Sequence, residues 1–311
     1  MKSADINHIY AVVVTYHAKR EKLSDLLDAI ADQVETVVVV DNGSSGDLRT
    51  WLRDVGDFRK LELLLLDQNM GVAAAHNIGI GRARVLGADA VLLLDQDSLP
   101  APDMVAALRD ALGSLVAGGE LVAAVGPYLV DQRTLEPSPF VRFGLLFNQH
   151  LYCSGNRSNE FVESDVLITS GTLIPTSSLD RVGGLDEALF VDNVDIEWCF
   201  RARSRGYKLY GVCSALMRHV LGDGLMKTWL PFSREIVIHP PIRLYYIVRN
   251  HIILYKRAYT PFRWIVQDLL RLLFKAVLFA TLISPRLTNI SMMLKGFRDG
   301  VWGRTGSYAC H

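Results

Sequence analysis

The residues best placed to do chemistry in this chain are Asp95 and Asp97, which close the apolar run Ala90-Val91-Leu92-Leu93-Leu94 as Asp95-Gln96-Asp97-Ser98. An unbroken apolar run predicts a strand buried on both faces, and Ser98 and Pro100 stop it. Carboxylates one residue apart at a strand end are hard oxygen ligands for Mg2+ or Mn2+, ions that commonly arrive with a phosphorylated ligand. Taken alone, the pair reads equally well as a solvated turn. More carboxylates lie downstream, where Asp192, Asp195 and Glu197 share the segment Phe190–Arg201. The i, i+3 spacing of Asp192 and Asp195 predicts a common helix face with Asp192 as N-cap. Such acids either complement the helix dipole or supply a general base, and a positioned base contributes roughly 10²–10⁴ in rate.

The elements that must hold these groups read as strands alternating with helices. Runs at Ile9–Thr15, Thr36–Val40, Leu61–Leu66 and Ala90–Leu94 predict strands. Helical spacing at Leu23, Leu26, Leu27 and Ile30, and again over Val72–Leu86, fills gaps between them. This alternation predicts right-handed βαβ units and a mostly parallel α/β sheet. Ligands of such sheets bind beyond the carboxyl ends of the strands, where Asp41, Asn69, Asp95 and Asp97 all fall. One crevice edged by several carboxylates is the expected site. Further on, Val166–Pro175 predicts two strand pieces around Gly171, a glycine that lets backbone approach a ligand closely. A short helix is expected over Leu179–Leu185, ending at Gly183-Gly184.

Half of the 311 residues are apolar, enough for a large α/β domain plus an appendage. The net charge of zero hides an asymmetry: residues 1–200 carry 15 basic and 29 acidic side chains, residues 201–311 carry 18 and 4. A basic C-terminal part is expected to meet something anionic. Cys153, Cys199, Cys213 and Cys310 show no C-x-x-C spacing, so neither a zinc site nor a disulfide framework is expected. Reduced thiols in a cytoplasmic protein are the expectation. Ile9–Val14 is too short for a signal-peptide core and reads as the first strand.

In order and spacing, several motifs together resemble the family 2 inverting glycosyltransferases, and within them the bacterial rhamnosyltransferases of surface-polysaccharide synthesis. The motifs are Val13-Val14-Thr15-Tyr16, Val40-Asp41-Asn42-Gly43-Ser44, Asn69-Met70-Gly71 through Asn77-Ile78-Gly79, and Asp95-Gln96-Asp97-Ser98. Ser170-Gly171-Thr172, Gly183-Gly184-Leu185-Asp186-Glu187 and Asp192-x-x-Asp195-x-Glu197 continue the series. The resemblance runs from about Ile9 to about Gly222, with a family-like ending near Gly296–Gly306. It implies a GT-A fold over residues 1–225, a nucleotide-sugar site and a divalent ion, Mg2+ or Mn2+. On that resemblance Thr15, Tyr16 and Asp41 border the base and ribose, and Asn69, Gly71 and Asn77 line the same pocket. Asp95 touches the ribose side, Asp97 holds the ion, and Asp195 is the base that deprotonates the acceptor. Val194 stands where much of the family has Glu, which leaves Asp192 and Glu197 as rivals for base or acceptor contact, with Gly171 nearby. His219 is either a further metal or phosphate contact or a satisfied structural histidine. Arg249 either reaches the departing diphosphate or is a solvated or lipid-facing side chain. The Gln-x-x-Arg-Trp signature of processive relatives is absent at Arg263-Trp264, which favours one sugar per encounter. The implied donor is dTDP-L-rhamnose, and the implied acceptor is a glycan or lipid-linked glycan of O-antigen type.

Residues 226–311 read as a basic amphipathic helical region. Ile242–Arg257 predicts one helix; Trp264–Ile283 predicts another with a narrow polar stripe of Asp268, Arg271 and Lys275 and a wide apolar face. Charges interrupt every window long enough to span a bilayer, so the expectation is docking on the inner face of the plasma membrane or packing on protein, including a second copy. No nucleic-acid partner is expected, since no aromatic stacking platform accompanies the carboxylates. Two competing readings share the sheet type. A sugar nucleotidyltransferase would carry a Gly-rich loop after the first strand, where Thr15-Tyr16-His17-Ala18-Lys19-Arg20 has none. A catalytically silent nucleotide-sugar binder would keep the fold without transfer.

Overall fold

A computed structural model describes residues 6–46, 48–55, 60–144, 147–153, 160–219, 225–227 and 235–308. The elements run β1 (Ile9–Thr15), α1 (Arg20–Ile30), β2 (Thr36–Asp41), α2 (Leu48–Val55), β3 (Leu61–Leu65), α3 (Val72–Val85) and β4 (Ala90–Asp95). Next come β5 (Leu99–Pro100), α4 (Met104–Ala117), β6 (Val122–Asp131), β7 (Phe140–Arg142), β8 (Gln149–Leu151), β9 (Phe161–Ser164) and β10 (Leu173–Pro175). The chain continues through α5 (Thr176–Val182), α6 (Val194–Ser204), β11 (Lys208–His219), β12 (Leu225–Lys227) and β13 (Glu235–Val237). It ends in α7 (Pro241–Tyr255), α8 (Phe262–Thr281) and α9 (Arg286–Val301).

The main sheet has the order β3-β2-β1-β4-β10-β6-β11-β5, with β9 beside β11. β1 pairs parallel with both β2 and β4, and β2 pairs parallel with β3. The order therefore reverses between β1 and β4, the switch point at which open α/β sheets bind ligands. Register makes the consequence concrete: Thr15 lies opposite Asp41, and Val14 opposite Asp95, so these groups share the carboxyl edge. Past β4 the sheet turns mixed, because β10 runs antiparallel to β4 and β6.

Alternation along β1 feeds two cores. Tyr10, Val12 and Val14 join one cluster with Ala73 and Ile80 of α3 and Trp198 and Phe200 of α6. Ile9, Ala11 and Val13 join the other with Leu23 and Leu27 of α1 and Leu108 and Leu112 of α4. Both faces are covered, which is why these strands read as unbroken apolar runs. The C-terminal helices are tied to this body, since Ile253, Leu254 and Trp264 belong to the cluster containing Phe200. α7, α8 and α9 also share a smaller core of Leu244, Val248, Leu278, Phe279, Ile283 and Met293.

α9 presses on α7 through glycines. A Cβ on Gly296 would stand 2.4 Å from the carbonyl oxygen of Tyr245, and one on Gly300 would stand 2.8 Å from that of Arg249. Backbone cannot retreat cheaply, so Gly296→Ala is expected to cost about 1–3 kcal/mol in urea unfolding. Gly113→Ala in α4, where a Cβ meets nothing within 4 Å, is expected to be neutral or to stabilise by up to about 1 kcal/mol. Equal effects at the two glycines would contradict the close approach.

Two expectations need correction. Cys153 and Cys213 form a disulfide with Cα atoms 5.6 Å apart, closing 60 residues of chain. The hairpin after β7 brings Cys153 against β11, a contact that sequence spacing does not reveal. Cys199 is a free buried thiol, and Cys310 and Gly222 lie outside the described residues. Val166–Pro175 holds one strand, β10, with Val166 forming an isolated bridge to Val141. The residues between are used as a turn around Gly171.

Candidate active site

Three strand-end loops interlock at the switch point. Asp41, at the end of β2, accepts from Thr15 Oγ1 at 3.0 Å, from Ser44 Oγ at 2.5 Å and from the Ser44 amide at 3.2 Å. Asn42 donates to Asn69 Oδ1 at 3.1 Å and accepts from the Met70 amide at 2.8 Å. Gln96 accepts from the Tyr16 amide at 2.8 Å, coupling the first loop to the one carrying Asp95 and Asp97. Tyr16 is 45 % exposed, with its ring edge-on to that of His17. The buried Asp41 is thus held by hydroxyls and amides, in a loop rigid enough to present polar groups to a ligand.

The acidic end of β4 is braced by the Ser170 loop. Ser170 Oγ accepts from the Asp95 amide at 3.0 Å and contacts Ser98 Oγ. His219, the last residue of β11, brings Nδ1 to 3.4 Å from Ser98 Oγ and 3.9 Å from Asp97 Oδ1. A partly exposed carboxylate facing an imidazole across that gap offers one hard oxygen and one borderline nitrogen donor. Desolvation pushes the Asp95 carboxyl upward and Asp97 adds to this, while His219 and Arg243 pull it back.

Asp195 enters from the first turn of α6. Burial pushes its carboxyl up to about 6, with the Ile196 amide opposing and the charges of Asp95 and Asp192 reinforcing. Asp95 feels the charges of His219, Asp97 and Arg243, and in turn acts on Asp195. Beside Asp195 lies an apolar cavity of about 180 Å³, bounded by Pro127, Phe140, Val166, Ile168 and Thr172.

The loop leading to Asp195 departs from the expected helix start. α6 begins at Val194; Phe190, Asp192 and Asn193 all have left-handed backbone, with φ of 65°, 61° and 62°. Asp192 is therefore not the N-cap and shares no helix face with Asp195. Its carboxylate is held by Arg243, with Nε and Nη2 at 3.0 and 2.9 Å from Oδ1. Non-glycine residues in this conformation cost of order 1–3 kcal/mol each and persist only where neighbours over-determine them. Asn250 supplies that constraint, donating to the carbonyls of Leu189, Val191 and Asp192 at 3.0, 2.6 and 2.9 Å. Asn250→Ala would strand buried carbonyls, so a stability loss of about 2–4 kcal/mol is expected. A displaced Asp195 would also lower kcat by roughly 10²-fold. Unchanged kcat in a folded variant would show that the loop does not need the clamp.

Several residues singled out by sequence are engaged elsewhere. Arg249 is fully buried and donates to Asn250 Oδ1, the Leu189 carbonyl and the Gly306 carbonyl at 3.0, 2.8 and 2.5 Å. With its guanidinium spent on that loop, it neither reaches a diphosphate nor faces solvent or lipid. Glu197 is likewise buried, accepting from Arg201 Nε at 2.8 Å and Tyr259 OH at 2.5 Å. That removes it as a rival base or acceptor contact. Asn77 pairs with the Leu185 backbone at 2.9 and 2.8 Å and with Glu187 at 2.8 Å, locking α3 to the turn after α5 rather than lining the nucleotide pocket. Gly71, with φ of 88°, lets Phe190 approach, and Gly171 lets Pro127 approach at 2.5 Å from where a Cβ would sit. Sequence reasoning missed Arg243 and Asn250 as positioning groups; their seven-residue spacing on α7 was the available signal.

Comparison with known proteins fits this geometry. The family model described as "Glycosyl transferase family 2" matches residues 10–183. The chain belongs to glycosyltransferase family 2. It is 30% identical over 303 residues to the dTDP-rhamnosyl transferase RfbF of Shigella flexneri, covering 96% of this chain and 97% of that one. Among solved structures, GalNAc-T7 with UDP, GalNAc and Mn2+ superposes with a TM-score of 0.61 at 14% identity, covering 97% of this chain and 56% of that one. A mannosyltransferase from Pyrobaculum calidifontis with GDP-Man and Mn2+ gives a TM-score of 0.55 at 14% identity over 96% and 88%. These likenesses establish the GT-A fold. The enzyme is a glycosyltransferase whose family signature spans β1 through α5.

Proposed function

We infer that this glycosyltransferase moves L-rhamnose from dTDP-L-rhamnose to a glycan or lipid-linked glycan acceptor of O-antigen type, one sugar per encounter, with inversion. The chemistry is supported by the Asp97–His219 pair at 3.9 Å and by a buried Asp195 whose carboxyl feels the charge of Asp95. The donor reading is supported by similarity to a dTDP-rhamnosyl transferase along nearly the whole chain.

Asp97 and His219 fit a divalent ion. They offer one carboxylate oxygen and one imidazole nitrogen 3.9 Å apart, and Mg2+ or Mn2+ at such sites takes its remaining ligands from diphosphate and water. Bound there, the ion would offset charge on the leaving nucleotide diphosphate. The chain's own part is acid–base and positional. Asp195 accepts the proton of the acceptor hydroxyl as its oxygen bonds to the anomeric carbon; the bond from that carbon to the diphosphate oxygen breaks, and its electron pair leaves with the nucleotide. A β-linked donor gives an α-linked product. Thr15, Asp41, Asn69 and the Tyr16 ring hold the nucleoside end, and Asp95 faces its ribose. The apolar cavity beside Asp195 favours an uncharged acceptor sugar. We place the enzyme at the inner face of the plasma membrane, with residues 1–225 as the catalytic unit and 226–311 as the basic helical unit. In the reducing cytoplasm Cys153 and Cys213 would stand as adjacent thiols, since disulfides seldom persist there.

Donor choice is tested by equilibrium binding and hydrolysis of dTDP-L-rhamnose, UDP-sugars and GDP-sugars with Mn2+. The expected result is at least about tenfold preference for dTDP-L-rhamnose, equivalent to about 1.4 kcal/mol. Preference for another nucleotide would retire the rhamnosyl reading and leave the transferase intact.

A further inference from the structure

α8 wears its apolar side outward. Phe262, Val266, Leu270, Leu273, Phe274 and Val277 are between 45% and 76% exposed, and their spacing draws one continuous stripe along the helix. Of the expected polar stripe, Arg271 is exposed and Lys275 half-buried. Asp268 is turned inward, where it accepts from Tyr255 OH at 2.6 Å and pairs with His251 at 3.2 Å. α9 adds an exposed series at Leu287, Leu294, Phe297 and Val301. Both helices carry just two carboxylates, Asp268 and Asp299, and both are buried. Arg263, Arg271, Arg286 and Arg298 are exposed around the apolar rows.

We propose that this outward face of α8 and α9 is the docking surface for an anionic lipid membrane, and that it holds the active site at the headgroup level. Apolar rows bordered by cations and free of exposed carboxylates match a headgroup layer whose charge is negative and whose interior is hydrocarbon. A second copy is disfavoured, because a two-fold contact would set Arg263, Arg271 and Arg286 against their own copies while neither helix exposes a carboxylate. Spanning is ruled out for the described helices, none of which is long and apolar enough to cross a bilayer. The inner side of α8 reaches the catalytic loop: Trp264 stacks on His251 with ring centroids 5.8 Å apart, and His251 lies 3.3 Å from Asn193 Nδ2, two residues before Asp195. Membrane and base-bearing loop thus sit on opposite sides of one helix, whose diameter is about 10 Å. A site held there is served best by an acceptor glycan anchored in the same membrane. This inference rests on the transferase reading.

Vesicle flotation of the full chain tests it, using liposomes of phosphatidylcholine alone and of phosphatidylcholine with about a third phosphatidylglycerol. Wild type is expected to float with the anionic vesicles, less with neutral ones, and to release as salt rises. Leu270→Glu/Phe274→Glu should lose at least about tenfold in vesicle affinity while keeping wild-type helicity, dTDP-L-rhamnose binding and donor hydrolysis in solution. Equal flotation of wild type and variant would overturn the proposal, as would absence of wild-type flotation. A wild-type dimer that the variant makes monomeric, without change in flotation, would assign the face to a second copy instead. Loss of nucleotide-sugar binding by wild type in solution would count against the transferase reading, and flotation is scored independently of it.

Discussion

Asp195→Asn is expected to lower sugar transfer by about 10³-fold while leaving donor affinity within about twofold of wild type. The amide keeps the shape of the side chain and can still meet the Ile196 amide through its oxygen, but it takes no proton. The same substitution should stabilise the fold. Burial raises the Asp195 carboxyl from 3.8 to about 6, so the folded chain holds that proton more tightly than the unfolded chain does. Stability from this group is therefore present at low pH and is lost as pH rises from about 4 through about 6. At pH 7 the native state carries a buried charge that asparagine lacks, and the variant should gain about 1–3 kcal/mol. Transfer needs the ionised form, so kcat/KM of wild type should climb with unit slope to a plateau above about pH 6. Urea unfolding at pH 7 and a pH–rate profile read both. A variant less stable than wild type, or a profile flat between pH 5 and 7, would contradict the assignment.

Asp97→Ala should be nearly as damaging by a different route. It removes the carboxylate 3.9 Å from His219 Nδ1, and metal stabilisation of a leaving diphosphate is worth several kcal/mol, or about 10³ in rate. Unlike the change at Asp195, it should also weaken donor binding in the presence of Mn2+. Wild type treated with chelator should lose transfer and regain it on adding Mn2+ or Mg2+, whereas the variant should regain little. His219→Ala should fall between the two, since one ligand and the diphosphate remain. Full activity of wild type after exhaustive chelation would remove the ion from the account.

How much of this could be read from residues alone follows from the range of the signals. The edge of the sheet was legible because β2 and β4 are unbroken apolar runs ending in Asp41 and Asp95, a pattern that depends on nearest neighbours. The helix that carries Asp195 was legible in type, but its start was misplaced. Asp192 and Asn193 are held in left-handed backbone by Asn250, which lies 58 residues away from the nearer carbonyl it binds. Arg249, Glu197 and Asn77 have residue types suited to catalysis, yet each is consumed by a long-range or buried partner. Only tertiary packing decides whether such a side chain is free. The Cys153–Cys213 pair was invisible for the same reason. The amphipathic pattern of α8 was apparent, whereas which side faces outward was settled by Trp264, Gln267 and Asp268 packing inward.

A crystal structure with dTDP-L-rhamnose, or a non-hydrolysable analogue, and Mn2+ is the most direct test of the shared site. Anomalous scattering should place manganese between Asp97, His219 and the diphosphate, with the anomeric carbon on the side facing Asp195 and room beside it for an attacking hydroxyl. Manganese bound elsewhere, or an anomeric carbon turned away from Asp195, would contradict the account.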